Sequence, residues 1–448
     1  MSSIQASLLD LFRADNLSWI MASLILFVTS NIVAYSSRYL AGDRNRRSHI
    51  ARVLLLGICV LCMAFADNLI VLLIGWMASN LLLVRLMVHK PEWDAARNSG
   101  IIAIRTFCIG FVCLAVGFWL LAENAGSLSI SRIVTSSNPS TPRLIFGLLL
   151  VAIAAIAQSA AWPFQSWLIS SLNSPTPVSA LMHAGIINGG GFLIVRFAPL
   201  FATQPFLLQG VFVIGVITAI LGSVWKLIQT DLKRMLACST MGQMGFMLMQ
   251  CGMGLFAPAV SHLCWHGLFK AYLFLNAGSV VREARTDLSN QLTIYRAFVA
   301  GLVGIIGALV FALTSGIPLA LEDTSCLTIA LAFMASTQIA IGLLNQPPSI
   351  LRISGILLSS MVAASIYGLS VYWVEFALSP FAAVSPQPLN TIYVIGFSLI
   401  VLMWIAMVVN LPARLESREG WKLLYMASLN ASQPHPTTIT VIRTNYHS

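Results

Sequence analysis

Within one apolar stretch of this 448-residue chain, His262, His266 and Lys270 follow one another at steps of four, in the run HLCWHGLFKAYLFL. Four residues advance a helix by about 400°, so the three side chains stack on one face, about 6 Å apart. An ionisable group at mid-bilayer costs about 2.5–3.5 kcal/mol on insertion scales, which makes such a stripe a candidate proton or ion path. Groups that hold, share or release a proton, stacked along a helix axis, are what a proton wire requires. The competing reading is a helix-packing cluster whose lysine snorkels to the headgroups.

Composition sets the medium in which that stripe works. Hydrophobic residues make up 58% of the chain and charged residues 9%, and the mean hydropathy is +0.86. Soluble domains carry about 25% charged residues, so an all-α polytopic membrane protein is expected. About thirteen transmembrane helices are predicted, over 17–37, 50–66, 68–88, 100–122, 143–162, 176–197, 207–228, 235–253, 256–278, 296–315, 325–344, 350–374 and 390–411. The division is a 1–16 periplasmic segment, a 17–411 transmembrane domain and a 412–448 cytoplasmic tail. The first apolar run lacks a small-residue cleavage site and reads as a retained span.

The net charge of +10 gathers on alternate loops. Arg38, Arg44, Arg46 and Arg47 follow the first span, and Lys90 and Arg97 the third. Lys233 and Arg234 follow the seventh, Arg282, Arg285 and Arg296 the ninth, and Arg414, Arg418, Lys422 and Arg443 lie in the tail. The intervening loops hold little beyond Arg13, Arg132 and Arg143, and one carries Glu322 and Asp323. The positive-inside rule therefore places the N-terminus outside and the C-terminus in the cytoplasm. No loop is large enough to form a nucleic-acid groove.

Two further polar groups punctuate the spans. Pro175 and Pro177 are a predicted helix break, and Gly189, Gly190 and Gly191 loosen the helix that follows. Broken helix is tolerated in a membrane where it lines a cavity or is covered by protein. His183 lies on that helix, either as a member of an ion path or as a histidine satisfied by a backbone carbonyl. Asp231, Lys233 and Arg234, by composition alone, form a solvated cytoplasmic loop. Arg85, Arg196 and Arg352 are expected to snorkel from interfacial ends. Of eight cysteines, Cys59 and Cys62 have metal-like spacing but no second pair, so packing is the expectation. No Walker loop, dinucleotide fingerprint or iron–sulfur cluster motif occurs, and no cofactor or metal is expected in this chain.

WPFQSWL, SPTPVSALMHAG, QTDLKRMLACSTMGQMGF and HLCWHGLFKAYLFLNAGSV, with DNLIVLLIGW upstream, resemble the antiporter-like subunits of respiratory complex I and of multisubunit sodium/proton antiporters. The resemblance implies inverted repeats with broken helices and a chain of polar residues across the membrane interior. It also adds Lys233 to His183, His262, His266 and Lys270 as an ion-pathway residue. Three departures matter. Met77 stands where pumping subunits carry a glutamate, Gln158 where they carry a lysine, and Gly316–Ala320 lacks the later lysine. The chain also starts where the family's third helix would and lacks its long lateral helix.

Such a shortened member is similar to the DabB-type membrane subunits of inorganic-carbon accumulation complexes, in the bacterial inner membrane. That likeness implies a transporter subunit which conducts protons or sodium and energises CO2 or bicarbonate uptake. The partner would be a large zinc-binding DabA-like subunit on the cytoplasmic face, with carbonic-anhydrase-like chemistry. The alternative is a proton-translocating subunit of a respiratory NADH dehydrogenase or a cation/proton antiporter.

Overall fold

Apolar runs of about 20 residues satisfy their own backbone only as helices, and helices account for nearly all of the regular structure. A computed structural model describes residues 11–136, 141–277, 293–344, 349–379, 384–415 and 417–439. Asp10, Arg282, Arg285, Arg443 and the last residues of the HLCWHGLFKAYLFLNAGSV motif lie outside the described residues. The first four helices are α1 (Asn16–Tyr39), α2 (Arg46–Phe65), α3 (Leu69–Met87) and α4 (Asp94–Ala125). After the short α5 (Ile130–Ser136) come α6 (Pro142–Gln158), α7 (Ser166–Ile169), α8 (Thr176–Ala184), α9 (Gly189–Arg196) and α10 (Ala198–Ala202). Then follow α11 (Pro205–Ile228), α12 (Leu232–Gly252), α13 (Phe256–Leu275), α14 (Ile294–Ser315), α15 (Ser325–Leu343), α16 (Ile350–Leu378) and α17 (Thr391–Val408). The tail contributes α18 (Leu411–Leu415) and α19 (Glu419–Ala431).

Many helix starts are written in the sequence. Asp15, Asn68, Thr141, Asp231, Thr293, Ser349 and Asn390 each accept a first-turn N–H through the side chain. Each such cap contributes about 1 kcal/mol. Among the described residues, ten segments are long and apolar enough to cross a membrane, with α8 and α9 counted as one. Three more predicted spans, α6, α12 and α13, are helices in the expected places. α6 is apolar but shorter, while α12 and α13 carry the polar and basic residues that lower their hydropathy. Length and apolarity alone thus support ten crossings and leave the count of thirteen open. The protein is a helical, multi-pass membrane protein.

The helix ends sort onto two faces. Asp15 meets Arg196, Asp67 accepts from Ser129 and Ser131, Asn16 donates to the Ala377 carbonyl, and Thr324 donates to that of Met253. On the opposite face Asp43 meets His89, and the tail meets Ser170, Asn173, Gln229 and Arg234. At the centre runs α8–α9, with 89% of its apolar window buried, against 11% for α16. α11 and α12 form the tightest pair because glycines remove the side chains between them. A methyl at Gly215 would lie 2.8 Å from the Gly245 carbonyl oxygen, the small-residue packing that membranes favour. Tyr393 of α17 locks onto this pair by donating to the Gly252 carbonyl at 2.9 Å.

Arg196 departs from expectation. It does not snorkel: it is 3% exposed, pairs with Asp15, and donates to the Ser18 hydroxyl at 3.0 Å and the Ala64 carbonyl at 2.6 Å. Asp15, the cap of α1, supplies a buried countercharge that no local pattern foretells. Arg85 is exposed.

Candidate ion-conducting site

The stripe exists as the spacing requires. His262 is half-buried, His266 is 6% exposed and Lys270 is 1% exposed. The two rings stack with centroids 6.3 Å apart and planes at 28°. Their separation is one helical turn, so they are consecutive stations and not a bonded pair. Both nitrogens of His266 and Nε2 of His262 lack a hydrogen-bond partner in the protein.

Lys270 turns toward α12 and donates to the Leu236 carbonyl at 3.3 Å. The Thr240 hydroxyl donates to that same carbonyl at 2.9 Å and lies 3.0 Å from His183 Nδ1. A hydroxyl has one proton to give. With Thr240 giving its proton to Leu236, the Nδ1–H tautomer of His183 is the one that donates to the Thr240 oxygen. A bonded bridge therefore runs from Lys270 through α12 to His183. Phe274, one turn beyond Lys270, fixes the His183 ring by stacking at 4.4 Å and 17°.

Lys233 sits in the first turn of α12 and reaches back to the loop before α8. It donates to the Ser174 carbonyl at 2.9 Å and, more weakly, to that of Leu172 at 3.4 Å. The five predicted residues form one neighbourhood: His183 lies within electrostatic range of Lys270 and Lys233, and His266 within range of Lys270, His262 and His183. Lys226 of α11 acts on Lys270 as well.

Pro175 and Pro177 open α8 as its N-cap and a first-turn residue, positions where a missing N–H does no harm. The interruption inside the span falls later, at Gly185 and the 3-10 turn Ile186–Asn188, directly after His183. Gly189, Gly190 and Gly191 are helical, and the last two serve close packing: a methyl at Gly190 would run into the Ala155 carbonyl oxygen and one at Gly191 into the Met247 sulfur. Across the seam, Gly267 lets α13 press against the break, since a methyl there would lie 2.8 Å from the Ala184 carbonyl oxygen.

Gln158 is tied into a reciprocal amide pair. Its Nε2 donates to Asn80 Oδ1 at 3.0 Å, and Asn80 Nδ2 donates back to Gln158 Oε1 at 3.1 Å. Both are buried. The pair is neutral, lies one turn from Met77 at the end of the GW motif, and touches the break, where Gln158 Nε2 also donates weakly to the Ile186 carbonyl at 3.4 Å. A cavity of about 50 Å³ borders both the pair and the break, lined by Gln158, Ile186, Met21, Leu24, Trp76 and Asn188 among others. Thr240, Lys226, Gly267 and Asn80 escape sequence reasoning. Only Gly267 carries a local signal, a small residue set inside the stripe.

A sequence profile described as "NADH:quinone oxidoreductase/Mrp antiporter, TM" matches residues 66–346, more than half of the chain and all of the polar neighbourhood. The chain belongs to this NADH:quinone oxidoreductase/Mrp antiporter transmembrane family. A second profile, "NADH-Ubiquinone oxidoreductase (complex I), chain 5 N-terminus", matches residues 8–50. Among relatives of this antiporter family, the chain is 40% identical to "Probable inorganic carbon transporter subunit DabB1" of Halothiobacillus neapolitanus over 278 residues, 60% of this chain and 50% of that protein. It is 35% identical to "NADH-quinone oxidoreductase subunit L" of Mycobacterium tuberculosis over 282 residues, 61% of this chain and 44% of that protein. The chain thus spans about half the length of the curated relatives it matches. The "Structure of Mrp complex from Dietzia sp. DQ12-45-1b" shares the fold, with a TM-score of 0.55 at 23% identity over 94% of this chain and 45% of that one.

Proposed function

We propose that this chain is the ion-conducting membrane subunit, for protons or sodium, that energises inorganic-carbon uptake. It would work with a zinc-containing, carbonic-anhydrase-like partner docked on its cytoplasmic face, where CO2 hydration would take place. The observation that carries the reading is the bonded bridge Lys270–Leu236 carbonyl–Thr240–His183, continued along α13 by His266 and His262. Proton hops need partners within about 2.6–3.2 Å, directly or through one water. Lys270 and Thr240 both donate to the Leu236 carbonyl, which has no proton to pass on, so this contact holds Lys270 beside His183 while the proton hops between them, and along the histidine stations, would run through water. Lys233 stands at the face where the basic loops gather, as entry or exit.

The Asn80–Gln158 pair favours conduction over pumping. A pump needs a group there that changes charge and so switches its neighbours. Amides do not exchange a proton near neutral pH, and Met77 adds no charge. Conduction is therefore passive, and downhill ion entry is the energy source for the partner. The likeness to a protein named as an inorganic carbon transporter subunit supports this reading. The likeness to subunit L favours a respiratory proton-translocating role, which the neutral pair disfavours. The chain would lie in a bacterial plasma membrane, N-terminus outside, with 17–411 as the membrane domain and 412–448 as the cytoplasmic tail.

The test is growth in air of a carbonic-anhydrase-deficient bacterium given this chain with and without the gene of the large zinc-site partner. Rescue is expected with both, and neither with Lys270→Ala nor under an uncoupler. Rescue by this chain alone, or NADH-linked proton pumping by a purified complex containing it, overturns the reading.

A further inference from the structure

A second group of ionisable side chains lies apart from the stripe, on the face opposite Arg196. His49 begins the buried side of α2; it is 1% exposed, and neither ring nitrogen has a hydrogen-bond partner in the protein. Its ring meets the His89 ring edge-on, with centroids 5.4 Å apart and planes at 84°. His89, two residues past α3 and also buried, places Nε2 3.1 Å from Asp43 Oδ2. Asp43 belongs to the turn between α1 and α2 and also accepts the Asn45 N–H at 2.7 Å. The other charges acting on the group are Arg52, three residues along α2, and Lys90 beside His89.

A buried polar ring without a partner is uncommon and needs a reason. Metal ligation does not supply one: among the described residues no three His, Cys, Asp or Glu are gathered to hold an ion. Imidazole itself does, because it changes charge in the physiological range. We propose that His49, with the Asp43–His89 pair, is a protonation site separate from the α13 stripe, and that proton uptake there loosens the corner where the α1–α2 turn meets the end of α3.

Three facts support this. A proton on His49 creates a cation beside Arg52, and Asp43, the carboxylate within range, is already engaged by His89. Asp43 is taken up by His89 Nε2 at 3.1 Å, so a cation on His49 has no carboxylate bonded to it. The corner also joins three segments through these side chains, so its loosening moves α2. The buried face of α2 continues from His49 through Val53 and Leu56 to Gly57, which lines the cavity beside the helix break.

The sign of the pH response separates the histidines from the carboxylate. Hydrogen bonding to His89 is the main cause that holds the Asp43 carboxyl below its ordinary range. Its stabilising contribution is therefore complete above the ordinary carboxylate range and disappears only as pH falls through the lowered value. Any loss of stability nearer neutrality belongs to the imidazoles.

The experiment follows thermal unfolding of the purified full chain in detergent from about pH 8 to pH 5, the interval in which histidine changes charge. It is joined to ring 15N shifts of histidine-labelled protein, with His49 assigned by its absence in His49→Leu or, if that variant does not fold, His49→Phe. The wild type should lose roughly 2–4 °C across the interval, because the unfolded chain takes up a proton at His49 that the buried, partnerless ring resists. His49→Leu should keep the neutral-pH value and lose measurably less than the wild type, the remainder belonging to the histidines within the bundle, His183, His262 and His266. An equal loss in His49→Leu, no loss in the wild type, or a His49 ring that takes its proton as readily as an exposed histidine overturns the proposal. Stability and ring protonation are read without any ion flux, so the outcome is independent of the conduction reading.

Discussion

Gly267 offers the sharpest test of the site because the close approach it permits can be measured. It lies on α13 between His266 and Lys270, where an added methyl would stand 2.8 Å from the Ala184 carbonyl oxygen and 3.4 Å from Asn188 Nδ2 and Leu24 Cδ1. Ordinary contact begins at 3.4 Å, so Gly267→Ala must open the seam by the difference from 2.8 Å, about 0.6 Å. The obstructing atom cannot swing away, since it is the backbone of the residue after His183 and accepts from Asn188 Nδ2 at 2.8 Å. The displacement thus falls on the Lys270–Leu236–Thr240–His183 geometry. Hydrogen-bond reach for proton transfer spans only about 2.6–3.2 Å, a window no wider than the shift. A misplacement approaching 1 Å can lower a rate about 100-fold, so proton flux should fall roughly 10- to 100-fold in Gly267→Ala and vanish in Gly267→Val. The alanine gains about 1 kcal/mol of helix propensity, which partly offsets an overpacking cost of about 1–3 kcal/mol, so the variant should still fold. Gly210→Ala is the control, because nothing lies within 4 Å of its added methyl. Flux is read in proteoliposomes with an entrapped pH dye under an imposed potential. Wild-type flux in Gly267→Val would refute the geometry as the conducting path.

Other expectations follow from single contacts. Asp15→Ala strands the buried Arg196 guanidinium and should destabilise by about 3–5 kcal/mol; adding Arg196→Leu should recover most of it, and unfolding in detergent compares the two. A loss below about 1 kcal/mol in the single variant would deny that the pair is buried. Gln158→Leu leaves the Asn80 amide unpaired, at a cost of about 1–3 kcal/mol, while flux stays near wild type; flux lost in this variant without misfolding would return Gln158 to the ion path. Reporter fusions after Arg418 and in the Glu322–Asp323 loop should read cytoplasmic and periplasmic respectively, and a periplasmic signal from the tail reverses the orientation.

Much of the architecture is legible in the chain because its causes are local. Apolar runs must become helices in a bilayer, side-chain caps such as Asp15 and Asn390 mark their starts, and the 3.6-residue turn stacks His262, His266 and Lys270 wherever α13 is placed. The break was less legible. Prolines attract the eye as breakers, yet Pro175 and Pro177 start α8, and the interruption comes at Gly185–Asn188, where no proline stands. A proline's missing N–H matters only in a helix interior, and which residues are interior depends on where the helix begins.

The sequence by itself determined a helical membrane protein, the members of its ionisable stripe and the missing charges at Met77 and Gln158. Each depends on residue type or on spacing within one helix. Tertiary structure alone decided who meets whom: Thr240 bonding His183 from 57 residues away, Asn80 closing on Gln158 across 78, and Asp15 holding Arg196 across 181. Those meetings turn on the packing of helices distant in the chain, set by contacts such as Gly267 on Ala184. No local periodicity records such contacts, because side chains from separate helices share a site only once the bundle has closed around it.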